Sequence, residues 1–191
     1  MTAVEVNGIR PGPGVEEESA EDLLRVAGLI RSVPDHPQPG VLFRDITPVL
    51  ADGASFATVT TELAAFAGEA DLVVGVEARG FLLGAAVALV AGVGTVPVRK
   101  AGKLPAVAVS RSYDLEYGSA TLELPAGIVE PGAAVYVVDD VLATGGTAAA
   151  ACALLADAGA EIVGFGTLLE LTALNGRSKL GDLRVDALLS A

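Results

Sequence analysis

A chain of 191 residues with 24 acidic and 12 basic side chains carries a formal net charge of −12, which argues against nucleic acid or an anionic membrane as a partner. Apolar residues make up 52% of it and aromatic ones only 4%, so a core large enough for one domain must be built from Val, Leu and Ala. The single cysteine, Cys152, excludes an internal disulfide and fits a reducing, cytoplasmic setting.

The first residues lack the basic-then-apolar pattern of a secretory leader. Pro11, Pro13, three glycines and the acidic run Glu16-Glu17-Glu18 read instead as a disordered or loosely attached tail over residues 1–19, leaving 20–191 as one domain. Ser19 with Asp22 three residues on predicts a capping box for a helix running to about Arg31. Pro34, Pro37 and Pro39 then enforce an extended, turn-rich segment up to Gly40, with His36, the only histidine, inside it and without an assigned role. Val41–Pro48 places Phe43 beside Arg44. That pair is either a short edge strand with one inward ring, or a flat ring and a donor offered to a planar base. Phe56, Val59, Leu63 and Phe66 recur at helical spacing and predict a helix from about Ser55 to Gly68.

Leu72–Val76 is an apolar run of buried-strand type, followed by the turn Glu77-Ala78-Arg79-Gly80 and a helix over Phe81–Val90. An arginine in such a strand-to-helix turn is placed to meet an anion at the carboxyl edge of a sheet, or else to pair with Glu77. Residues 81–98 are uncharged and nearly long enough to span a bilayer, but Gly84, Gly92, Gly94 and Pro97 divide them into helix, turn and strand. The strand Thr95–Val98 leads into Arg99, Lys100 and Lys103, a concentration of positive charge that contrasts with the acidic whole. Residues 104–117, interrupted by Pro105, Ser110 and Ser112, read as a hairpin or as a mobile lid carrying Glu116 and Tyr117 at its return. A further strand is predicted over Thr121–Leu124.

The stretch from Val135 to Ala158 carries the most chemistry. Val135, Tyr136, Val137 and Val138 form a buried strand with two acids, Asp139 and Asp140, at its carboxyl end. The small-residue loop Ala143-Thr144-Gly145-Gly146-Thr147 then opens an alanine-rich helix, so successive amides face an incoming anion. It is neither a Walker loop nor G-x-G-x-x-G. Acids beside an anion cradle suit the hydroxyls of a sugar, and together they describe a receiver for a ribose 5-phosphate. Cys152, in that helix, reads as a small buried hydrophobe. A strand over Ile162–Leu169 and a short helix over Leu171–Leu180 complete an alternation typical of an α/β fold.

The run VVDDVLATGGT resembles the phosphoribosyl pyrophosphate (PRPP) motif of the type I phosphoribosyltransferases. The blocks PGVLFRDITP, VEARGFLLG, VRKAGKLP and SYDLEYG extend the resemblance from about Leu24 to the end, and are similar to the members of that family that act on adenine. The resemblance implies the type I phosphoribosyltransferase fold, a mainly parallel sheet flanked by helices, with a small hood and a flexible catalytic loop. It implies transfer of the 5-phosphoribosyl group of PRPP to adenine, giving AMP and pyrophosphate. Ala143, Thr144, Gly145, Gly146 and Thr147 would then cradle the 5′-phosphate, and Asp139 and Asp140 would hold the ribose hydroxyls. Ala78, Arg79, Arg99, Lys100, Lys103 and Tyr117 would face pyrophosphate, with a cis peptide expected at Glu77–Ala78. Leu42, Phe43, Arg44 and Val141 would surround adenine, and Glu116 would manage the proton at the purine N7. Mg²⁺ would arrive bound mainly through PRPP and water, without a protein cage. A homodimer is also implied. Ala101 and Ser119 stand where basic residues are common in the family, and Ala78 where serine is frequent.

Two other readings remain open at this level. A 6-oxo purine such as hypoxanthine or xanthine could replace adenine, and a regulator could use the same fold to sense PRPP and bind nucleic acid. The acidic chain and the lack of a basic face count against the second.

Overall fold

The computed structural model describes residues 5–114 and 119–191. In chain order it contains β1 (Arg10–Pro11), α1 (Glu17–Leu29), β2 (Arg31–Pro34), β3 (Leu42–Asp45), α2 (Thr47–Ala51), α3 (Gly53–Ala67), β4 (Leu72–Val76), α4 (Arg79–Ala91), β5 (Gly94–Lys100), β6 (Val107–Asp114), β7 (Ser119–Pro125), β8 (Ala134–Leu142), α5 (Gly146–Asp157), β9 (Glu161–Glu170) and β10 (Val185–Ser190). An eight-stranded sheet runs in the order β1-β10-β9-β8-β4-β5-β7-β6. Its centre, from β10 to β5, is parallel, and antiparallel partners close both edges. β2 and β3 form a separate antiparallel ribbon, the hood.

Alternation along the central strands explains the layering. Val73, Tyr136, Val138 and Leu168 bury on one face against Leu23 and Val26 of α1, Val59 and Leu63 of α3, and Leu83 and Val87 of α4. Val74, Val76, Val135, Val137 and Phe165 bury on the other, against Ala151, Leu154 and Leu155 of α5 and Leu122 and Leu124 of β7. With both faces covered, these strands need nearly continuous apolar runs, which is what β4 and β8 supply. Glycines set how closely α4 approaches. A Cβ on Gly75 would lie 2.6 Å from the Gly80 carbonyl oxygen, one on Gly80 would lie 2.8 Å from that of Val138, and one on Gly84 would lie 2.9 Å from the Cα of Gly75.

The structure corrects the reading of the N-terminal segment from Glu5 onward. Ile9 is fully buried, and Arg10–Pro11 pair with Ser190 and Leu189 at the sheet edge. Proline and glycine there mark an edge strand, where a missing N–H is tolerated, rather than a loose tail. Residues 1–4 lie outside the described residues. The Ser19 capping box is also not formed. α1 starts at Glu17, and the Ser19 hydroxyl donates instead to Glu62 Oε1 of α3 at 2.7 Å, so tertiary packing overrides the local signal. α3 begins at Gly53, two residues early, because Asp52 Oδ1 accepts the Ser55 N–H at 2.8 Å.

β6 and β7 pair antiparallel, with Ser110 opposite Glu123 and Asp114 opposite Ser119. Glu116 and Tyr117 lie outside the described residues. The helix expected over 171–180 is two 3₁₀ turns, Thr172–Leu174 and Gly176–Leu180, and β10 follows them. β10 escapes an apolar-run reading because Asp186 interrupts it. That carboxylate accepts the buried Tyr136 hydroxyl at 2.9 Å and lies 3.0 Å from Arg184 Nε. Among the described residues no helix is long and apolar enough to cross a membrane.

Candidate active site

The carboxyl end of β8 carries Asp139 and Asp140 into the sheet's interior, where they are only 9% and 6% exposed. Asp139 Oδ1 accepts the Asp140 backbone N–H at 2.9 Å. Burial, and then the neighbouring Asp140 charge, push the Asp139 carboxyl well above its ordinary value. Asp140 Oδ2 lies 2.9 Å from Arg79 Nη2, an ion-pair contact without hydrogen-bond alignment, so this buried oxygen has an acceptor position to spare.

Residues 143–147 link this acid pair to α5. Gly145, at φ 77°, makes the left-handed turn into the helix, and the Ala149 N–H closes the first helical bond onto its carbonyl at 2.9 Å. The amides of Gly146, Thr147 and Ala148 therefore have no intrahelical acceptor. A cavity of about 80 Å³ opens in front of them, lined by Asp139, Val141, Leu142 and residues 143–148. The hydroxyls of Thr147 and Tyr113 of β6 are hydrogen-bonded at 3.2 Å. The turn after β8 is crowded from behind, since a Cβ on Gly145 would overlap the Gly176 carbonyl oxygen.

The cationic turn gathers around Glu77, which precedes a cis peptide to Ala78. Glu77 Oε1 accepts Lys103 Nζ at 2.6 Å, its Oε2 accepts the Lys100 N–H at 2.8 Å, and Arg99 Nε stands 3.6 Å from Oε2. Burial alone would raise this carboxyl. Lys103, the Lys100 amide and the Arg99 charge outweigh it and hold Glu77 below the ordinary range. Arg79 does not pair with Glu77. Its guanidinium contacts Asp140 and also lies 5.3 Å from the centre of the Phe43 ring on the hood. One side chain thus joins the strand end to the hood.

On the hood, Leu42, Phe43 and Arg44 pair with Pro34, Val33 and Ser32 of β2. Leu42 is exposed, and Arg44 Nη1 donates to Ser32 Oγ at 2.6 Å. Asp45 is lowered to about 2 by the Thr47 hydroxyl and amide and then by Arg31, which ties the ribbon to α2. A larger open groove of about 850 Å³, lined among others by Asn7, Ile30, Arg31 and Val33, holds none of the acids or loop residues of the site.

The strand-end acid pair, the amide loop and the cation cluster thus gather at the carboxyl ends of the central strands β8, β4 and β5. Residues 46–188 match the family described as Phosphoribosyl transferase domain. The chain is also 56% identical over 177 residues to an adenine phosphoribosyltransferase of Saccharopolyspora erythraea, an overlap of 93% of this chain and 97% of that one. It belongs to the adenine phosphoribosyltransferases. Among solved adenine phosphoribosyltransferases, that of Thermoanaerobacter pseudethanolicus superposes with a TM-score of 0.85 at 44% identity, covering 88% of this chain and 99% of that one. That of Saccharomyces cerevisiae, complexed with an imino-altritol bisphosphate and adenine, gives 0.83 at 38% identity, with 88% and 99% covered. The mainly parallel α/β sheet is the type I phosphoribosyltransferase fold.

Three residues near this site hold places that their local sequence does not show. His36 packs edge-on against Phe43 at 5.0 Å and 79°, from a segment that reads only as a proline-rich turn. Tyr113 reaches Thr147 from a hairpin of open character. Gly176 sits in an Asn-Gly turn whose closeness to Gly145 depends on tertiary structure. Among the described residues no group of three His, Cys, Asp or Glu side chains could hold a metal ion. The Asp139–Asp140 pair supplies hard oxygen donors of the kind that suit a Mg²⁺ ion carried largely by its phosphate ligand.

Proposed function

We propose that this chain transfers the 5-phosphoribosyl group of PRPP to adenine, releasing AMP and pyrophosphate as a purine-salvage enzyme of the cytoplasm. The observation that carries the reading is the buried acid pair standing beside an amide-lined cavity at the β8–α5 junction. Residues 143–147 cradle the 5′-phosphate, to which the Thr147 hydroxyl and the amides left free at the start of α5 donate, and the helix N-terminus favours its charge. Asp139 and Asp140 accept the ribose 2′- and 3′-hydroxyls. A sugar hydroxyl satisfies the open position on Asp140 Oδ2, which Arg79 touches without aligning.

Arg79, Arg99, Lys100 and Lys103, with Tyr117 and the Ala78 backbone, meet the pyrophosphate. Its negative charge grows as the anomeric bond breaks, and fixed cations stabilise that growth without reorganising. Lys103 and Arg99 exchange Glu77 for the incoming phosphates. A Mg²⁺ ion arriving with PRPP would further neutralise the diphosphate, and Asp139 and Asp140 offer oxygen donors beside it.

Adenine stacks between Phe43 and Val141, the Leu42 backbone reads its edge, and Arg44 fixes its orientation. Glu116 exchanges the proton at N7. In steady-state kinetics, Glu116→Gln therefore lowers kcat at least tenfold with little change in the KM for PRPP, and equal damage to both would remove it from that role.

Incubating the protein with PRPP, Mg²⁺ and each purine base tests the whole. AMP formation from adenine is expected at least a hundredfold faster than nucleotide formation from hypoxanthine, because a 6-oxo group reverses the donor pattern at the edge being read. Faster use of hypoxanthine would overturn the assignment. A homodimer accompanies this function, supported by the outward face of α4, where Leu82, Leu89 and Val90 are 56%, 82% and 52% exposed.

A further inference from the structure

The phosphate loop is braced from outside by residues that the chemistry above does not use. Leu142, the last residue before the loop, stands opposite Glu170 in the β8–β9 register, and the Leu171 N–H donates to its carbonyl at 2.9 Å. Behind the loop lies Gly176. A Cβ there would overlap the Ala143 carbonyl oxygen and stand 2.8 Å from the Gly145 nitrogen, so two backbones touch with no side chain between them. Arg177, the next residue, is held on three sides. Its Nε and Nη2 donate to the two Glu170 carboxylate oxygens at 3.1 and 2.6 Å, and its Nη1 donates to the Val185 carbonyl of β10 at 2.7 Å. The Glu170 side chain is only 8% exposed.

We propose that Glu170 and Arg177 are positioning residues for the 5′-phosphate cradle, acting through Gly176. The proposal rests on the reading of residues 143–147 as that cradle. A planar guanidinium gripping both oxygens of a carboxylate fixes direction as well as distance, which a lysine ammonium cannot do. With β9 and β10 immobile in the sheet, the fork sets where the Gly176 backbone lies. That in turn sets the aim of the amides on the other side of the Gly145 turn. Loosening the fork leaves the acids, the cations and the hood intact, so its cost falls on phosphate binding. Adenine, which meets β3 and Val141, is spared.

Steady-state kinetics on Glu170→Gln, Arg177→Lys and Gly145→Ala, each with a thermal melt, test this. Gly145→Ala alters the cradle directly and should raise the KM for PRPP at least tenfold. Arg177→Lys and Glu170→Gln should raise it about five- to tenfold, with the KM for adenine within twofold of wild type. If Arg177→Lys does not fold, Glu170→Gln carries the same comparison, since it keeps the side chain's shape and one acceptor oxygen. A rise for Gly145→Ala alone overturns the bracing role while sparing the cradle. Equal losses for both substrates in the fork variants also overturn it, because they mark general destabilisation. No effect on PRPP from any of the three would remove the cradle reading and the brace with it.

Discussion

Asp139 occupies a place in the fold that disfavours its ionised form. Its carboxyl is raised by burial and by Asp140, so folding penalises its ionised form. For a carboxyl raised in the folded state, stability is greatest below the ordinary value of 3.8 and is lost as pH climbs through the folded value. Asp139→Asn removes the charge and keeps an oxygen that can accept the Asp140 N–H. At neutral pH it should raise Tm by roughly 2–4 °C, corresponding to about 1 kcal/mol for a chain of this size, and the gain should vanish near pH 3. The same variant should weaken PRPP binding, which titration calorimetry would detect. A lower Tm at neutral pH would contradict the electrostatic account. Cys152 is shifted in the same direction: burial pushes its thiol up to about 12, so native protein should react with a thiol reagent far more slowly than unfolded protein.

At the scale of elements, the turn after β4 and the end of β5 act as one unit through Glu77. A carboxyl held low contributes stability above its ordinary value of 4.5, and that contribution is lost as pH falls through the lower folded value. Glu77 engages Lys103 and Arg99, the cations proposed above to meet pyrophosphate, so on that proposal it competes with the product for them. Glu77→Gln should therefore tighten product inhibition by pyrophosphate, by about three- to fivefold given that exposed ion pairs are worth up to ~1 kcal/mol. Unchanged or weaker inhibition would show that Glu77 orders the turn rather than occupying it. The strands flanking this turn were legible because β4 and β8 are apolar runs ended by charged residues and glycines, a pattern that local sequence carries completely. β1, β10 and the turn at Gly176 were not. A proline-rich edge strand has the composition of a tail, Asp186 hides β10 until its distant partner Tyr136 is known, and Gly176 has meaning only against Gly145. The strand, its terminal acid pair and the small-residue turn into α5 could be read from residues 135–147 alone, whereas the contact of Arg79 with Phe43 joins segments that only the fold brings together.

Over the whole molecule, an acidic surface and a cationic site serve different purposes. The net charge of −12 discourages nucleic acid, while the four cations at the β4 and β5 ends create a local field for a polyanion. In the homodimer proposed above, a second copy covers the exposed apolar face of α4. Sedimentation should return twice the chain mass of 19.1 kDa, and Leu89→Glu should reduce it to one chain mass. A monomer at every concentration would contradict this. The central claim, that a sugar phosphate docks where β8 gives way to α5, is tested most directly by a crystal structure with AMP bound. The account predicts the phosphate in the cradle of residues 143–147, the ribose hydroxyls on Asp139 and Asp140, and the ring against Phe43. An empty cradle with the nucleotide bound elsewhere would contradict it.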